Sequence, residues 1–219
     1  MKKSSQKKFS IAAGFLAAFG VWTAAVILTD VQHIGPLQSA VGMAAINQGF
    51  HALTGVHMSL YVLTDWLSLF PISLCIAFAV LGLMQWIRRK QLLRVDFSIL
   101  MLGLFYLLVL ACYFLFEIIV INYRPVLIQG ILESSYPSST TMLVLCIMPT
   151  AIMQWNARIQ NRRIRCLVAA MLTAFTIFMV ACRILSGVHW LSDIVGGVLL
   201  SAGLVMLYVA VCSLDHRNS

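Results

Sequence analysis

Three polar clusters interrupt an otherwise apolar chain, and their residue types suit phosphate chemistry. The first is "EIIVINYRP", Glu117 to Pro125; the second is "YPSST", residues 136–140; the third is "RILSGVHWLSD", Arg183 to Asp193. Arg124 and Arg183 carry planar donor forks that match phosphate oxygens. Ser138, Ser139 and Thr140 open an apolar segment, and a helix starting there offers free N–H groups and a positive dipole end to an anion. His189 and Asp193 stand four residues apart, so on a helix they share a face. The carboxylate can take one imidazole N–H, fix the tautomer and leave the other nitrogen as a nucleophile. Those parts make a phosphoryl-transfer site assembled without a metal.

Each part also has a plain structural reading. Arg124 and Arg183 would serve alone as interfacial snorkels, and His189 as a polar residue at a helix end. Asp193 would complement a helix dipole, and the hydroxyls would cap a helix. The case for a site rests on all three clusters reaching one face of the molecule, which depends on the elements that carry them.

Those elements cross a membrane. The chain has 219 residues, 61% of them hydrophobic and 10% charged, with a mean hydropathy of +0.95. Soluble domains are nearer 45–50% apolar and about 25% charged. The length fits a single membrane domain over 1–219, without a separate soluble module. A spanning helix needs roughly 20 apolar residues for about 30 Å of hydrocarbon. Six stretches meet or approach that, at about 9–29, 60–86, 97–121, 140–155, 166–183 and 191–212. The first follows lysines as a signal peptide does, but its apolar run exceeds the usual 7–15 residues, so a retained helix is expected. The fold class is therefore all-α and polytopic, with six transmembrane helices.

Basic residues orient the spans. Lys2, Lys3, Lys7 and Lys8 precede the first; Arg88, Arg89, Lys90 and Arg94 separate the second and third; Arg158, Arg162, Arg163 and Arg165 separate the fourth and fifth; Arg217 follows the sixth. These alternating connections, with both termini, belong in the cytoplasm by the positive-inside rule. The formal charge of +8 is thus a topology signal, helped by anionic lipid, and not a nucleic-acid patch. Only Arg124 and Arg183 remain for the extracytoplasmic face, where the three clusters also lie. In the long segment 30–59, Met43, Ile46, Phe50 and Leu53 share one helical face while Asn47, His51 and Thr54 lie on another. That pattern predicts a short extracytoplasmic interfacial or re-entrant helix, a cap over the site or a plain packed loop helix. The six cysteines fall singly, without CxxC or a Cys/His cluster, so neither a zinc site nor a disulfide framework is indicated.

The clusters resemble the three-part signature of the type 2 phosphatidic acid phosphatase superfamily, KxxxxxxRP, PSGH and SRxxxxxHxxxD. Here the matching stretches are E-x6-R-P at 117–125, P-S-S-T at 137–140 and C-R-x5-H-x3-D at 182–193. The resemblance implies that Arg124 and Arg183 bind phosphate, helped by Ser138, Ser139, Thr140 and nearby N–H groups. It implies that His189 attacks phosphorus to form a phosphohistidine, that Asp193 orients it, and that no cofactor is needed. Three positions depart: Glu117 stands for the motif lysine, Thr140 for a histidine resembling a general acid, and Cys182 for a serine. The expected protein is an integral membrane lipid phosphatase, acting at the extracytoplasmic side of a bacterial plasma membrane on a lipid phosphate or, preferably, a polyprenyl diphosphate. The alternatives are a degenerate member that binds or moves lipid phosphates without turnover, and a structural membrane subunit.

Overall fold

The computed structural model describes residues 2–214; Arg217 and the C-terminal end of the chain lie outside them. The described chain is all-helical, with three isolated β-bridges and no strand. The helices are α1 (Lys2–Leu28), α2 (Ala44–Thr54), α3 (Met58–Leu67), α4 (Leu69–Arg89), α5 (Phe97–Ile118), α6 (Ser139–Arg158), α7 (Arg162–Leu185) and α8 (Leu191–Cys212). Five stretches are long and apolar enough to cross a membrane: Ser5–Leu28, Met58–Arg89, Phe97–Ile118, Arg162–Leu185 and Leu191–Cys212. The protein is an integral membrane protein.

Two departures from the expected spans have local causes. The 60–86 stretch is broken into α3 and α4 at Ser68. Pro71 has no N–H for the carbonyl of Leu67, and Ser68 turns its hydroxyl back onto Thr64 O at 2.7 Å. The 140–155 stretch forms the 20-residue α6, yet it is not among the five. Its polar Thr140, Thr141, Thr150 and Gln154 are all buried, because α4, α5, α7 and α8 pack around it. A helix enclosed by other helices does not need a lipid-compatible surface.

α1 lies along α8, and small residues let them approach. A Cβ on Gly203 would sit 2.7 Å from Leu16 Cδ2, the close packing that substitutes for hydrophobic drive inside a bilayer. One end of the bundle is tied by Asp96, 2.9 Å from Arg89 and 3.6 Å from Arg158. The opposite ends of α5 and α6, roughly 30 Å away along helices rising 1.5 Å per residue, carry the first two polar clusters.

The predicted helix in 30–59 exists as α2, with its polar face turned inward. Asn47 is fully buried; its amide donates to Ser192 Oγ at 2.9 Å and its carbonyl oxygen accepts from Ser192 N at 3.0 Å. Ile46 and Leu53 point away from the protein.

Candidate active site

Four elements converge on His189. It lies in the turn between α7 and α8, not on a shared helical face with Asp193 as the spacing suggested. Gly187 makes that turn at φ +66°, and a Cβ there would fall 1.8 Å from Gly55 O. Only glycine fits so close a backbone approach in that conformation. His57 N–H donates to Ser186 O at 2.9 Å, which seats the start of α3 on the same turn.

Arg124 Nη1 lies 3.3 Å from His189 Nε2. Guanidinium nitrogens only donate, so Nε2 is the acceptor and the imidazole proton sits on Nδ1. Nδ1 faces Asp193 Oδ2 at 3.9 Å, longer than a hydrogen bond. Asp193 is fully buried and well held. Oδ2 accepts from Trp190 N–H at 2.9 Å, and Oδ1 from Asn122 Nδ2 at 3.2 Å. It thus caps α8 and faces the histidine at once. Burial pushes the His189 pKa down to about 4; Asp193 opposes the drop, while Arg124 and Arg183 add to it. The imidazole is therefore neutral, with its Nε2 lone pair turned toward Arg124.

Arg183 is 2% exposed. Its Nη1 donates to Thr64 Oγ1 at 3.1 Å and Tyr61 O at 3.4 Å, and its Nη2 to Thr140 Oγ1. Asp65 Oδ1 lies 3.9 Å from Nη2, and the guanidinium carbon lies 4.7 Å from the Tyr61 ring centroid. Arg183 Nε has no hydrogen-bond partner among the described residues. Arg124 sits in an irregular hairpin, where its N–H meets Glu133 O at 3.0 Å and its Nε pairs with Glu133 Oε2 at 3.0 Å.

The remaining expected residues gather nearby. Ser138 precedes α6, but its N–H is taken by Asp193 O at 3.0 Å and its side chain does not cap the helix. The first-turn N–H groups of Ser139, Thr140 and Thr141 lack intrahelical partners by geometry. Ser139 and Glu117 line one small pocket with His189. Glu117 accepts from Ser134 Oγ at 2.8 Å. The carboxylate paired with Arg124 is Glu133, and Glu117 forms no ion pair among the described residues.

Sequence reasoning missed Tyr61, Thr64, Asp65, Asn122 and Glu133. Asp65 gave a readable signal, since a carboxylate inside an apolar run seeks a partner. Tyr61 and Asn122 gave none, as their roles depend on contacts across distant segments.

A family model described as the PAP2 superfamily matches residues 40–216. No curated protein matches the chain. The chain is similar in fold to "the first transmembrane PAP2 type phosphatidylglycerolphosphate phosphatase from Bacillus subtilis", seen in a crystal structure. The TM-score is 0.63 and the identity 17%, over 95% of this chain and 99% of that one. The family match runs through every residue that the three clusters bring to His189, and on that ground the chain belongs to the PAP2 superfamily.

Proposed function

We propose that the protein is an integral membrane phosphatase that releases phosphate from a lipid phosphate, and preferentially from a polyprenyl diphosphate, through a phosphohistidine on His189. The observation that carries this reading is the Nε2 lone pair of a neutral His189 held 3.3 Å from Arg124, with Asp193 behind Nδ1. Phosphate oxygens enter between Arg124, Arg183 and the first N–H groups of α6. Nε2 donates its electron pair to phosphorus, the bond from phosphorus to the leaving oxygen breaks, and that oxygen departs with the bonding pair. Asp193 offsets the positive charge that develops on the ring. Water then attacks phosphorus, the N–P bond breaks, and phosphate and neutral histidine are restored.

The leaving group decides the substrate preference. An alkoxide whose conjugate acid has a pKa in the mid-teens or so needs a proton donor, worth about 10²–10⁴-fold. Thr140, at the position resembling the acid, accepts a hydrogen bond from Arg183 and is no acid. A diphosphate expels a phosphate monoester with a second pKa near 6, as for a phosphorylated side chain, and leaves without help. The engagement of Arg183 by Thr140 also favours the second reading, a catalytically degenerate protein that binds or moves lipid phosphates.

In the membrane, α6 makes a sixth span, both termini are cytoplasmic, and α2 lies at the extracytoplasmic interface with Ile46 and Leu53 toward lipid. The site faces outward from a bacterial plasma membrane. The purified protein should cleave a polyprenyl diphosphate faster than phosphatidic acid, and the wild type but not His189→Ala should trap an acid-labile phosphoenzyme. Equal rates on both lipids would refute the leaving-group argument. Binding of both with cleavage of neither would establish the second reading. External labelling of a cysteine placed at position 90 or 162 in intact cells would overturn the orientation.

A further inference from the structure

The three clusters leave α3 out, yet one face of α3 touches both arginines. Tyr61, Thr64 and Asp65 stand at i, i+3 and i+4, so they project from one side of the helix. The guanidinium carbons of Arg183 and Arg124 lie 4.7 and 5.6 Å from the Tyr61 ring centroid, within the range of cation–π attraction. Thr64 is fully buried. Its hydroxyl donates back to Leu60 O and Tyr61 O, both at 2.9 Å, which leaves its lone pairs to accept from Arg183 Nη1 at 3.1 Å. Asp65 adds a nearby anion at 3.9 Å.

We propose that this face of α3 is a positioning element, which holds Arg124 and Arg183 together at one ring so that both can take the same phosphate. Two like charges gathered at one site repel before an anion arrives. The negative ring face of Tyr61 offsets that repulsion without placing a formal charge where phosphate must bind. Thr64 fixes the direction of the Arg183 fork, which a long side chain would otherwise sample at an entropic cost. The start of α3 is anchored on the His189 turn through His57 N–H and Ser186 O, so the ring is registered to the nucleophile as well. This inference rests on the reading of the site as a phosphate site, but not on turnover.

The test is titration of inorganic phosphate into the purified full-length protein in detergent, beside steady-state hydrolysis of a lipid diphosphate. Tyr61→Leu should weaken phosphate binding about tenfold and raise KM by a similar factor, with a smaller change in kcat. Tyr61→Phe should restore most of the affinity, because it keeps the ring. Thr64→Val, nearly isosteric, should weaken binding less than Tyr61→Leu, and it decides the matter if Tyr61→Leu does not fold. Wild-type affinity in both Tyr61→Leu and Thr64→Val would overturn the proposal, as would a wild-type protein that binds no phosphate. A wild-type protein that binds phosphate but cleaves no lipid, with affinity still dependent on Tyr61 and Thr64, would sink the enzymatic reading and support this one.

Discussion

Replacing Asp193 by asparagine separates its proposed catalytic contribution from its architectural one. Oδ2 accepts from the Trp190 N–H at 2.9 Å, and a backbone donor cannot be reversed. The new side chain will therefore keep its oxygen toward Trp190 and His189, which preserves the Nδ1–H tautomer. Its NH₂ then meets Asn122 Nδ2, 3.2 Å from the present Oδ1. Asn122 cannot flip cheaply, because its own oxygen accepts from Gly42 N–H at 3.1 Å. The two facing donors are left to share the Ser192 hydroxyl, 3.4 Å from each, as acceptor, at about 1–3 kcal/mol of stability. The rate suffers through charge. At the 3.9 Å separation of Nδ1 and Oδ2, a carboxylate stabilises a cationic ring by about 4 kcal/mol at an effective dielectric of 20. The amide dipole retains part of that, so kcat should fall about 10²–10³-fold. The assay is phosphate release under saturating lipid diphosphate, with thermal unfolding measured beside it. In the double variant Asn122→Asp with Asp193→Asn, the donor conflict disappears, so stability should recover while kcat stays low. A single-variant loss below tenfold, or a double variant that regains its rate with its stability, would refute the argument that charge at 193 drives the chemistry.

The pKa of His189, pushed down to about 4 from 6.5 chiefly by burial, should leave its ring signals unmoved in an NMR titration from pH 8 to 5; a midpoint near 6.5 would contradict its burial beside Arg124. Because the folded value is the lower one, its contribution to stability is complete above pH 6.5 and is lost as pH falls toward 4. Glu133→Gln removes a negative charge 3.0 Å from Arg124 Nε, so KM for an anionic lipid should fall several-fold with little change in kcat, most clearly at low salt; an increase in KM would show that the carboxylate orients the guanidinium instead. Gly187→Ala drives a methyl into Gly55 O at φ +66°, and the folded yield should drop with a destabilisation of about 2 kcal/mol or more, whereas Gly103→Ala, with open space around it, should be tolerated.

How much of this was legible in sequence follows from the range of the interactions. The helices were legible because apolar length is a local property, and α8 occupies Leu191–Cys212 as the hydropathy indicates. The third cluster was legible because its arginine, histidine and aspartate lie within eleven residues on one turn and its flanking helix ends. The partners of Arg183 were not legible, since Thr64 lies 119 positions away and Thr140 lies 43 away. No period or spacing encodes such pairings; they exist only once α3, α6 and α7 are packed. The partner of Glu117 was not legible for the same reason. Beside the family pattern Glu117 reads as a charge reversal at the phosphate, and in the fold it is exposed, accepts from Ser134 and lines the pocket that reaches His189.

α6, which covers the short apolar stretch 140–155, owes its polar residues to its place inside the bundle. Its polar residues are not lipid-facing errors but ties at both ends. Near its start, Thr140 accepts from Arg183 and the N–H of Ser138 is held by Asp193 O. Near its end, Gln154 binds Ser98 O and the hydroxyl of Tyr208. A helix fastened at both ends to α5, α7 and α8 cannot slide along its axis without breaking buried hydrogen bonds at each, and such bonds have no water to replace them. Its first turn is thereby held at one depth beside Arg183 and Asp193. Greater apolarity would have made α6 more conspicuous in hydropathy, but it would have removed the contacts that keep its N–H groups in register with the arginines.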